Sequence, residues 1–213
     1  MVYNQDSALK VAEFLLQIKA VKLQPNDPFI WASGWNSPIY CDNRKTLSYP
    51  AIRTYIRQQF VEAIEGKYGK PDVIAGVATG GIAPGALVAQ ELGVPFIYVR
   101  SSAKGHGLQN KVEGVLEEGQ NVLVVEDLIS TGGSSIDAVE AIRAAGGNVK
   151  GMVAIFTYGF DLSVQNMKDA NVSLTCLSNY DTLIEQALDS GYVQKSELES
   201  LKKWKENPSE WNT

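Results

Sequence analysis

Two adjacent acids followed by hydroxyls and glycines form the segment of this sequence best suited to chemistry. Glu126 and Asp127 end an apolar run, and the polar residues after them are Ser130, Thr131, Gly132, Gly133 and Ser134. Glycines let a ligand approach the backbone, and the N–H groups at the start of a helix bind phosphate. Two carboxylates would repel a phosphate placed on them, so they must face sugar hydroxyls, a metal or developing positive charge. The pattern predicts a sugar phosphate, with the acids on the ribose and the loop on its 5′-phosphate.

A second polar segment, residues 101–111, carries cations and no acid. With Arg100 before it, the segment contributes Lys104, His106 and Lys111, and it has two glycines but no strand or core pattern. A loop of this kind in a compact domain is functional or disordered. Its cations could neutralise a leaving group with several negative charges, and its closure could exclude water.

A third candidate is the glycine-rich segment "GVATGGIAPG", residues 76–85, which follows an apolar run. Thr79, Gly80 and Gly81 could offer backbone N–H groups to phosphate oxygens. The segment lacks the lysine of a nucleotide-binding P-loop and the G-x-G-x-x-G of a dinucleotide fold. We therefore exclude an NTPase and a dinucleotide-binding domain.

The elements that hold these segments alternate along the chain. Strands are predicted at 72–78, 95–100, 121–127, 149–158 and 172–177. Helices are predicted at 7–21, 50–66, 81–93, 134–147 and 161–170, with two short ones within 180–206. Near-continuous Val, Ile and Leu strands between helices indicate an α/β fold with a parallel sheet flanked by helices.

The N-terminal part is expected to differ from this pattern. Residues 28–44 surround a Ser33–Gly34 turn and predict a small hairpin outside the main sheet, with Trp35 and Tyr40 as packing residues. We expect one domain over residues 1–213, in which residues 1–45 form a small N-terminal hood over the site.

Composition and charge exclude several classes. The chain has 213 residues, 19 Lys and Arg, 24 Asp and Glu, and a formal charge of −5. A nucleic-acid-coating protein needs many clustered cations, so we expect no nucleic-acid partner. We find no signal peptide and no apolar run long enough for a membrane span. The two cysteines have no metal-like spacing, and a cytoplasmic, reducing location is expected. The sequence does not decide whether the two cysteines form a disulfide.

The segment "VLVVEDLISTGGSS" resembles the signature with which type I phosphoribosyltransferases bind 5-phosphoribosyl 1-diphosphate (PRPP). "YVRSSAKGHG" (98–107) is similar to the mobile loop of the orotate phosphoribosyltransferases, and "SGWNSPIYCDNR" (33–44) to their orotate-side segment. The resemblance implies the type I phosphoribosyltransferase fold. It also implies an enzyme that joins PRPP and orotate, with Mg²⁺, to give orotidine 5′-monophosphate and diphosphate.

The resemblance also implies roles for single residues. The catalytic residues would be Lys104, His106 and Asp127. PRPP would be bound by Arg100, Lys104, His106, Glu126, Asp127, Leu128, Ile129, Ser130, Thr131, Gly132, Gly133 and Ser134. Ser130 would contact orotate, and no side chain is assigned as a metal ligand. Arg44 is not given by the resemblance: we expect it to bind the orotate carboxylate because it follows the hairpin, where a guanidinium could form two parallel hydrogen bonds with the substrate. The family implies a homodimer in which loop 100–111 serves the site of the neighbouring subunit.

This sequence departs from many family members at three positions. Ala32 and Gly80 stand where many members have lysine, and Ser101 follows Arg100 where Lys is common. Two alternatives therefore stay open. One is a PRPP-dependent phosphoribosyltransferase for another base, and the other is a PRPP-binding regulatory protein that transfers nothing.

Overall fold

The computed structural model describes residues 2–31, 33–102 and 111–211. The α-helices in these ranges are α1 (Gln5–Gln17), α2 (Pro50–Tyr68), α3 (Ile82–Leu92), α4 (Gly133–Ala144), α5 (Asp161–Asp169), α6 (Tyr180–Asp189) and α7 (Leu198–Glu206). The strands are β1 (Val21–Leu23), β2 (Phe29–Ile30), β3 (Asn36–Ser37), β4 (Ile39–Cys41), β5 (Val73–Val77), β6 (Phe96–Val99), β7 (Val112–Glu113), β8 (Asn121–Ile129), β9 (Asn148–Thr157) and β10 (Leu174–Asn179). A 3₁₀ segment, Asn43–Ser48, joins β4 to α2, and another, Lys195–Glu197, precedes α7.

The main sheet has six strands in the order β10-β9-β8-β5-β6-β7. All neighbours are parallel except β7, which runs antiparallel to β6. The predicted α/β fold with a parallel sheet flanked by helices is confirmed. The short edge strand β7 was not predicted, because its two residues show no apolar pattern.

Both faces of the sheet are buried, and alternate residues of each strand serve opposite faces. Val122 and Val124 of β8 pack with α4, whereas Leu123 and Val125 pack in the cluster built with α1, α2 and α3. This double burial explains why the strands read as unbroken apolar runs in the sequence.

The N-terminal region forms two small sheets apart from the main one. Strands β2 and β3 form a hairpin around the Ser33–Gly34 turn, as predicted, and β4 pairs with β1. The first helix ends at Gln17 instead of residue 21, because Val21 begins β1. Its N-cap is Asn4, whose side chain accepts a hydrogen bond from the Ser7 N–H, whereas Asp6 or Ser7 was expected as the cap.

Two further expectations concern cysteines and membranes. Cys41 and Cys176 are both free thiols, so the open question of a disulfide is answered. Within residues 2–31, 33–102 and 111–211, no helix is long and apolar enough to cross a bilayer.

Candidate functional site

The site lies where β8 runs past the end of its neighbour β5. The last β5–β8 pair is Gly76 with Val125, whereas β8 and β9 stay paired as far as Ile129 with Thr157. Strand β8 therefore continues two residues beyond the predicted end at 127, because β9 still pairs with it. Residues 126–129 pair with β9 but not with β5, which opens a space beside them at the carboxyl end of the sheet. Ligands of open α/β sheets bind at this end.

Glu126 is the buried member of the acid pair. It is 5% exposed, and its carboxylate accepts hydrogen bonds from the Asp127 N–H at 2.9 Å and the Ser135 hydroxyl at 3.0 Å. Burial, with the nearby Asp127 carboxylate, raises the pKa of Glu126 well above its usual range. The fold therefore favours the neutral form of the Glu126 carboxyl group.

Asp127 lies next to the segment that links β5 to α3. A Cβ atom placed on Gly80 would overlap the Asp127 carboxylate, and one placed on Gly81 would overlap the Val125 carbonyl oxygen. The glycines predicted to approach a ligand therefore also let this loop lie directly against β8.

Asn43 fixes the main chain of Asp127 through a hydrogen bond. Its side-chain amide donates to the Asp127 carbonyl oxygen at 2.7 Å, and the Asn43 side chain is almost completely buried. The sequence analysis did not identify Asn43, although it lies in the quoted "DNR". An asparagine there could have been suspected as a buried amide donor.

The predicted phosphate loop leads into α4. Gly132 is the N-cap residue with φ +86°, so α4 begins at Gly133, one residue before the predicted start at 134, and Ser134 lies in its first turn. The side chain of Asn166 in α5 fixes the loop by donating to the Thr131 carbonyl oxygen at 3.0 Å. The first N–H groups of α4 have no helical acceptor, so this turn can bind an anion.

Ile129 has a different position from the other residues predicted to bind PRPP. Its side chain is fully buried in the core beneath α4. Its carbonyl oxygen accepts hydrogen bonds from the Thr157 hydroxyl and the Tyr158 N–H, each at 3.2 Å. The described contacts of Ile129 therefore anchor the start of the loop to β9.

Two adjoining cavities meet beside these residues. The polar cavity, of about 380 Å³, is lined by Cys41, Asp42, Arg44, Ala78, Thr79, Gly80, Glu126, Asp127, Leu128 and Ser134. The aromatic cavity, of about 560 Å³, is lined by Ile30, Trp31, Ser33, Trp35, Tyr40, Cys41, Leu128, Ser130, Thr131 and Tyr158. Cys41 and Leu128 belong to both, so one ligand with a charged end and a flat ring could span the two. Burial and the nearby acids raise the pKa of the Cys41 thiol, which keeps it neutral.

The aromatic cavity brings together residues of the N-terminal region and residues at the carboxyl ends of β8 and β9. The rings of Trp31 and Tyr158 lie 5.2 Å apart, and Tyr40 contacts Phe29 at 5.7 Å. Trp35 and Tyr40 were expected only to pack in the hairpin, but both line the cavity. Trp31 and Tyr158 were not identified in advance, although aromatic residues on both sides of the Ser33–Gly34 turn and after β9 were the available signal.

Arg44 lies in the polar cavity and does not line the aromatic one. Its guanidinium Nε donates to an Asp42 carboxylate oxygen at 2.7 Å, and its side chain is 59% exposed. The Arg44 guanidinium holds the pKa of Asp42 below its usual value. The structure therefore brings Arg44 close to the acids of the site, whereas the residue expected beside it, Ser130, lines the neighbouring cavity.

Arg100 marks one end of the predicted basic loop. Its guanidinium contacts the Glu113 carboxylate at 3.4 Å, and its backbone N–H donates to the Lys111 carbonyl oxygen at 2.9 Å. The ends of segment 101–111 are thus joined at the sheet edge through the β6–β7 pair. Lys104, His106 and Ala32 lie outside the described residues.

The chain matches known proteins over the region that holds this site. Residues 46–185 match the family model of the phosphoribosyl transferase domain. The chain is 55% identical over 201 residues to the orotate phosphoribosyltransferase of Porphyromonas gingivalis, covering 94% of this chain and 96% of that one. It is 54% identical over 200 residues to the one of Phocaeicola vulgatus, covering 94% of each chain.

Solved structures agree with this match. The crystal structure of the orotate phosphoribosyltransferase from Aeropyrum pernix superimposes with a TM-score of 0.74 at 28% identity. The superposition covers 86% of this chain and 99% of that one. The predicted fold family is therefore confirmed.

Proposed function

The chain belongs to the orotate phosphoribosyltransferases, a family within the phosphoribosyl transferase domain, and from this membership we propose its reaction. The enzyme transfers the 5-phosphoribosyl group of PRPP to a ring nitrogen of orotate. The bond between C1 of the ribose and the diphosphate breaks, and the products are orotidine 5′-monophosphate and diphosphate, on the route to UMP. The observation that carries this proposal is the identity of 54–55% over 94% or more of both chains in two relatives.

The two adjoining cavities support a specific placement of the substrates. The 5′-phosphate lies on the Ser130–Ser134 turn and the first N–H groups of α4. The ribose hydroxyls lie on Glu126 and Asp127 in the polar cavity, and the flat orotate ring enters the aromatic cavity beside Ser130. Leu128, which lines both cavities, would then lie near the bond between sugar and base.

The charges of the site support the direction of the chemistry. Positive charge develops on the ribose as its bond to diphosphate lengthens, and a fixed carboxylate nearby stabilises that charge. Asp127 supplies this carboxylate, because it lines the polar cavity against the loop at Gly80, whereas burial favours the neutral form of Glu126. Arg100, Lys104 and His106 neutralise the departing diphosphate, with Lys104 and His106 as its direct partners.

Mg²⁺ is the implied cofactor, and the described residues fit an ion that the substrate itself carries. In these residues no group of three or more His, Cys, Asp or Glu side chains could hold a metal on its own. Mg²⁺ commonly binds through one or two carboxylates plus substrate phosphates. Asp127 would hold such an ion together with oxygens of the substrate, and the ion would supply neutralisation of the diphosphate charge.

Arg44 is our candidate for the orotate carboxylate. A guanidinium binds a carboxylate with two parallel hydrogen bonds, and Arg44 already binds that of Asp42 at the rim of the polar cavity. Orotate binding requires Arg44 to exchange Asp42 for the substrate. Arg44→Gln should therefore raise the KM for orotate more than the KM for PRPP, and equal changes would reject this role.

We also propose how the subunit is organised. Residues 1–45 act as a hood of one domain, since their hairpin supplies Trp31, Trp35 and Tyr40 to the aromatic cavity. The protein works as a cytoplasmic homodimer without a nucleic-acid or membrane partner, and loop 100–111 of one subunit completes the site of the other. Mixing Lys104→Ala with Asp127→Asn subunits should restore part of the activity, and heterodimers without recovered activity would reject the shared loop.

The reaction itself is tested by following orotate absorbance with PRPP and Mg²⁺. The wild type should consume orotate and form orotidine 5′-monophosphate, identified by chromatography, and Asp127→Asn should be much slower. Hypoxanthine and guanine are the control bases. Transfer to either in place of orotate would identify an enzyme for another base. PRPP binding with no transfer, together with salt-dependent nucleic-acid binding, would identify a regulatory protein.

A further inference from the structure

The C-terminal helix α7 contributes a buried tryptophan to the wall of the aromatic cavity. Trp204 is 0% exposed, and its ring lies 5.6 Å from the rings of both Trp31 and Tyr158. Both contacts are edge-to-face, a favourable arrangement for aromatic pairs. Trp204 does not line the cavity, but it lies behind two residues that do.

Hydrogen bonds join the same residue to the hairpin. The Trp204 indole N–H donates to the Asn36 carbonyl oxygen on β3 at 3.3 Å. The Trp31 indole N–H donates to the Ile39 carbonyl oxygen on β4 at 3.1 Å. The hairpin that carries Trp31 is thus fixed at one side by β4 and at the other by α7. A two-stranded hairpin is only marginally stable alone, so its position depends on such packing.

Trp31 and Trp204 lie outside the part of the chain that matches the family model. The family model covers residues 46–185, and both Trp31 and Trp204 lie outside that range. Glu126, Asp127 and the loop into α4 lie inside it. The groups placed on PRPP thus belong to the common domain, whereas one wall of the base cavity is built from both flanks of the chain.

We propose that Trp204 is a positioning residue that fixes Trp31 and Tyr158 and thereby sets the shape of the base cavity. Helix α7 then takes part in choosing the base although it touches neither substrate. This inference rests on the proposed function, because it assigns the aromatic cavity to the base. It requires that loosening the contact between Trp204 and Trp31 weakens orotate binding and leaves PRPP binding unchanged.

The matched control is Trp211. It is a buried tryptophan that also packs on α7, through a hydrogen bond from its indole to the Ser200 hydroxyl at 3.3 Å, but the ring contacts to Trp31 and Tyr158 belong to Trp204. The test compares Trp204→Leu, Trp204→Phe and Trp211→Phe with the wild type by steady-state kinetics. If Trp204→Leu does not fold, Trp204→Phe decides, because it keeps a ring and loses the indole donor.

We expect Trp204→Leu to raise the KM for orotate by about tenfold or more and the KM for PRPP by less than about twofold. Trp204→Phe should raise the orotate value by a smaller factor, and Trp211→Phe should change neither. Equal rises of both KM values, an unchanged orotate KM in folded Trp204 variants, or the same rise in Trp211→Phe would overturn the inference. A wild type that consumes no orotate would instead overturn the proposed function.

Backbone hydrogen exchange tests the positioning role without any substrate. The backbone N–H of Trp31 donates to the Trp35 carbonyl oxygen at 2.9 Å, and the backbone N–H of Gly34 donates to the Trp31 carbonyl oxygen at 2.8 Å. Loosening the hairpin should speed exchange of both amides in Trp204→Phe but not in Trp211→Phe. Identical exchange in the two variants would overturn the role of Trp204.

Discussion

The carboxylate of Asp127 occupies the space that a side chain at position 80 would need. In this chain no Cβ fits at position 80 unless Asp127 moves. The contact places the backbone of the β5–α3 loop directly beside the Asp127 carboxylate. Gly80 is thus required by the position of Asp127 as well as by the approach of a diphosphate.

Gly80→Ala should therefore disturb the site through Asp127. The added Cβ forces the carboxylate or the loop to shift, and overpacking of this kind costs about 1–3 kcal/mol. We expect a KM for PRPP raised by about tenfold or more together with a lower kcat. Steady-state kinetics with varied PRPP measures both.

Gly69→Ala is the control for a loss of stability alone. Gly69 follows α2 with φ +71° and has open space around its Cβ position, away from the site. The Gly69→Ala substitution should lower the free energy of unfolding by about 1 kcal/mol without changing the KM for PRPP. If both variants change that KM alike, the contact between Gly80 and Asp127 has no specific role.

Glu126→Gln should change how stability depends on pH. The pKa of Glu126 is raised in the folded state, so the folded protein binds more protons than the unfolded chain above the unfolded pKa of about 4.3. Its contribution to stability is present below that pH and is lost as pH rises toward the folded pKa, by at most about 1.4 kcal/mol per pH unit. Glutamine resembles the neutral acid and does not titrate.

Thermal unfolding at pH 5 and pH 8, without substrates or Mg²⁺, measures this difference. We expect Glu126→Gln to gain stability relative to the wild type between pH 5 and pH 8. Asp137→Asn, an acid in α4 whose side chain is outside the cavity linings described above, serves as the control. A wild type and a Glu126→Gln variant with the same pH dependence would show that Glu126 is ionised in the folded protein.

Asn43→Ala should loosen the position of Asp127, because it removes the hydrogen bond that joins Asp127 to the 3₁₀ segment after β4. The substitution leaves the Asp127 carbonyl oxygen without the Asn43 donor, and such a loss costs about 1–3 kcal/mol. We expect lower kcat/KM as well as lower stability, since Asp127 then shifts relative to the ribose. Asn26→Ala removes a similar 2.8 Å bond to Glu197 that is exposed and remote from the site. Similar losses of activity in both variants would contradict the role of Asn43.

Lys104→Ala tests the assignment of the basic loop to the leaving group. Diphosphate is present in the reaction from PRPP but absent from orotidine 5′-monophosphate, so the substitution should lower turnover far more than nucleotide binding. Turnover is measured by orotate consumption and binding by calorimetry. Lys70→Ala, an exposed lysine after α2, should change neither. Equal losses in turnover and in nucleotide binding would contradict a role in diphosphate departure.

The sheet and the acid-hydroxyl-glycine segment were predictable because both follow from the residue types within short segments of the sequence. Strands buried on two faces produce unbroken apolar runs, and the turn into α4 is marked by Gly132 and its neighbours. The end of β8 was not predictable, since it depends on pairing with β9 after pairing with β5 has stopped. Local pattern contains no information about that difference.

The walls of the site were missed for the same physical reason. Asn43 meets Asp127 across 84 positions of sequence, and Trp204 meets Asn36 across 168. Contacts of this separation depend on how the hairpin and α7 fold back onto the sheet, which neither composition nor periodicity encodes. The raised pKa of Glu126 likewise follows from its burial beside Asp127, whereas the sequence shows only two equivalent acids.

A crystal structure with orotidine 5′-monophosphate bound tests most directly that the two cavities form one nucleotide site. We predict the phosphate on the Ser130–Ser134 turn, the ribose hydroxyls on the Asp127 carboxylate, and the base in the aromatic cavity against Trp31. A nucleotide bound elsewhere, or one whose base lies outside the cavity lined by Trp31 and Tyr158, would contradict the proposed site.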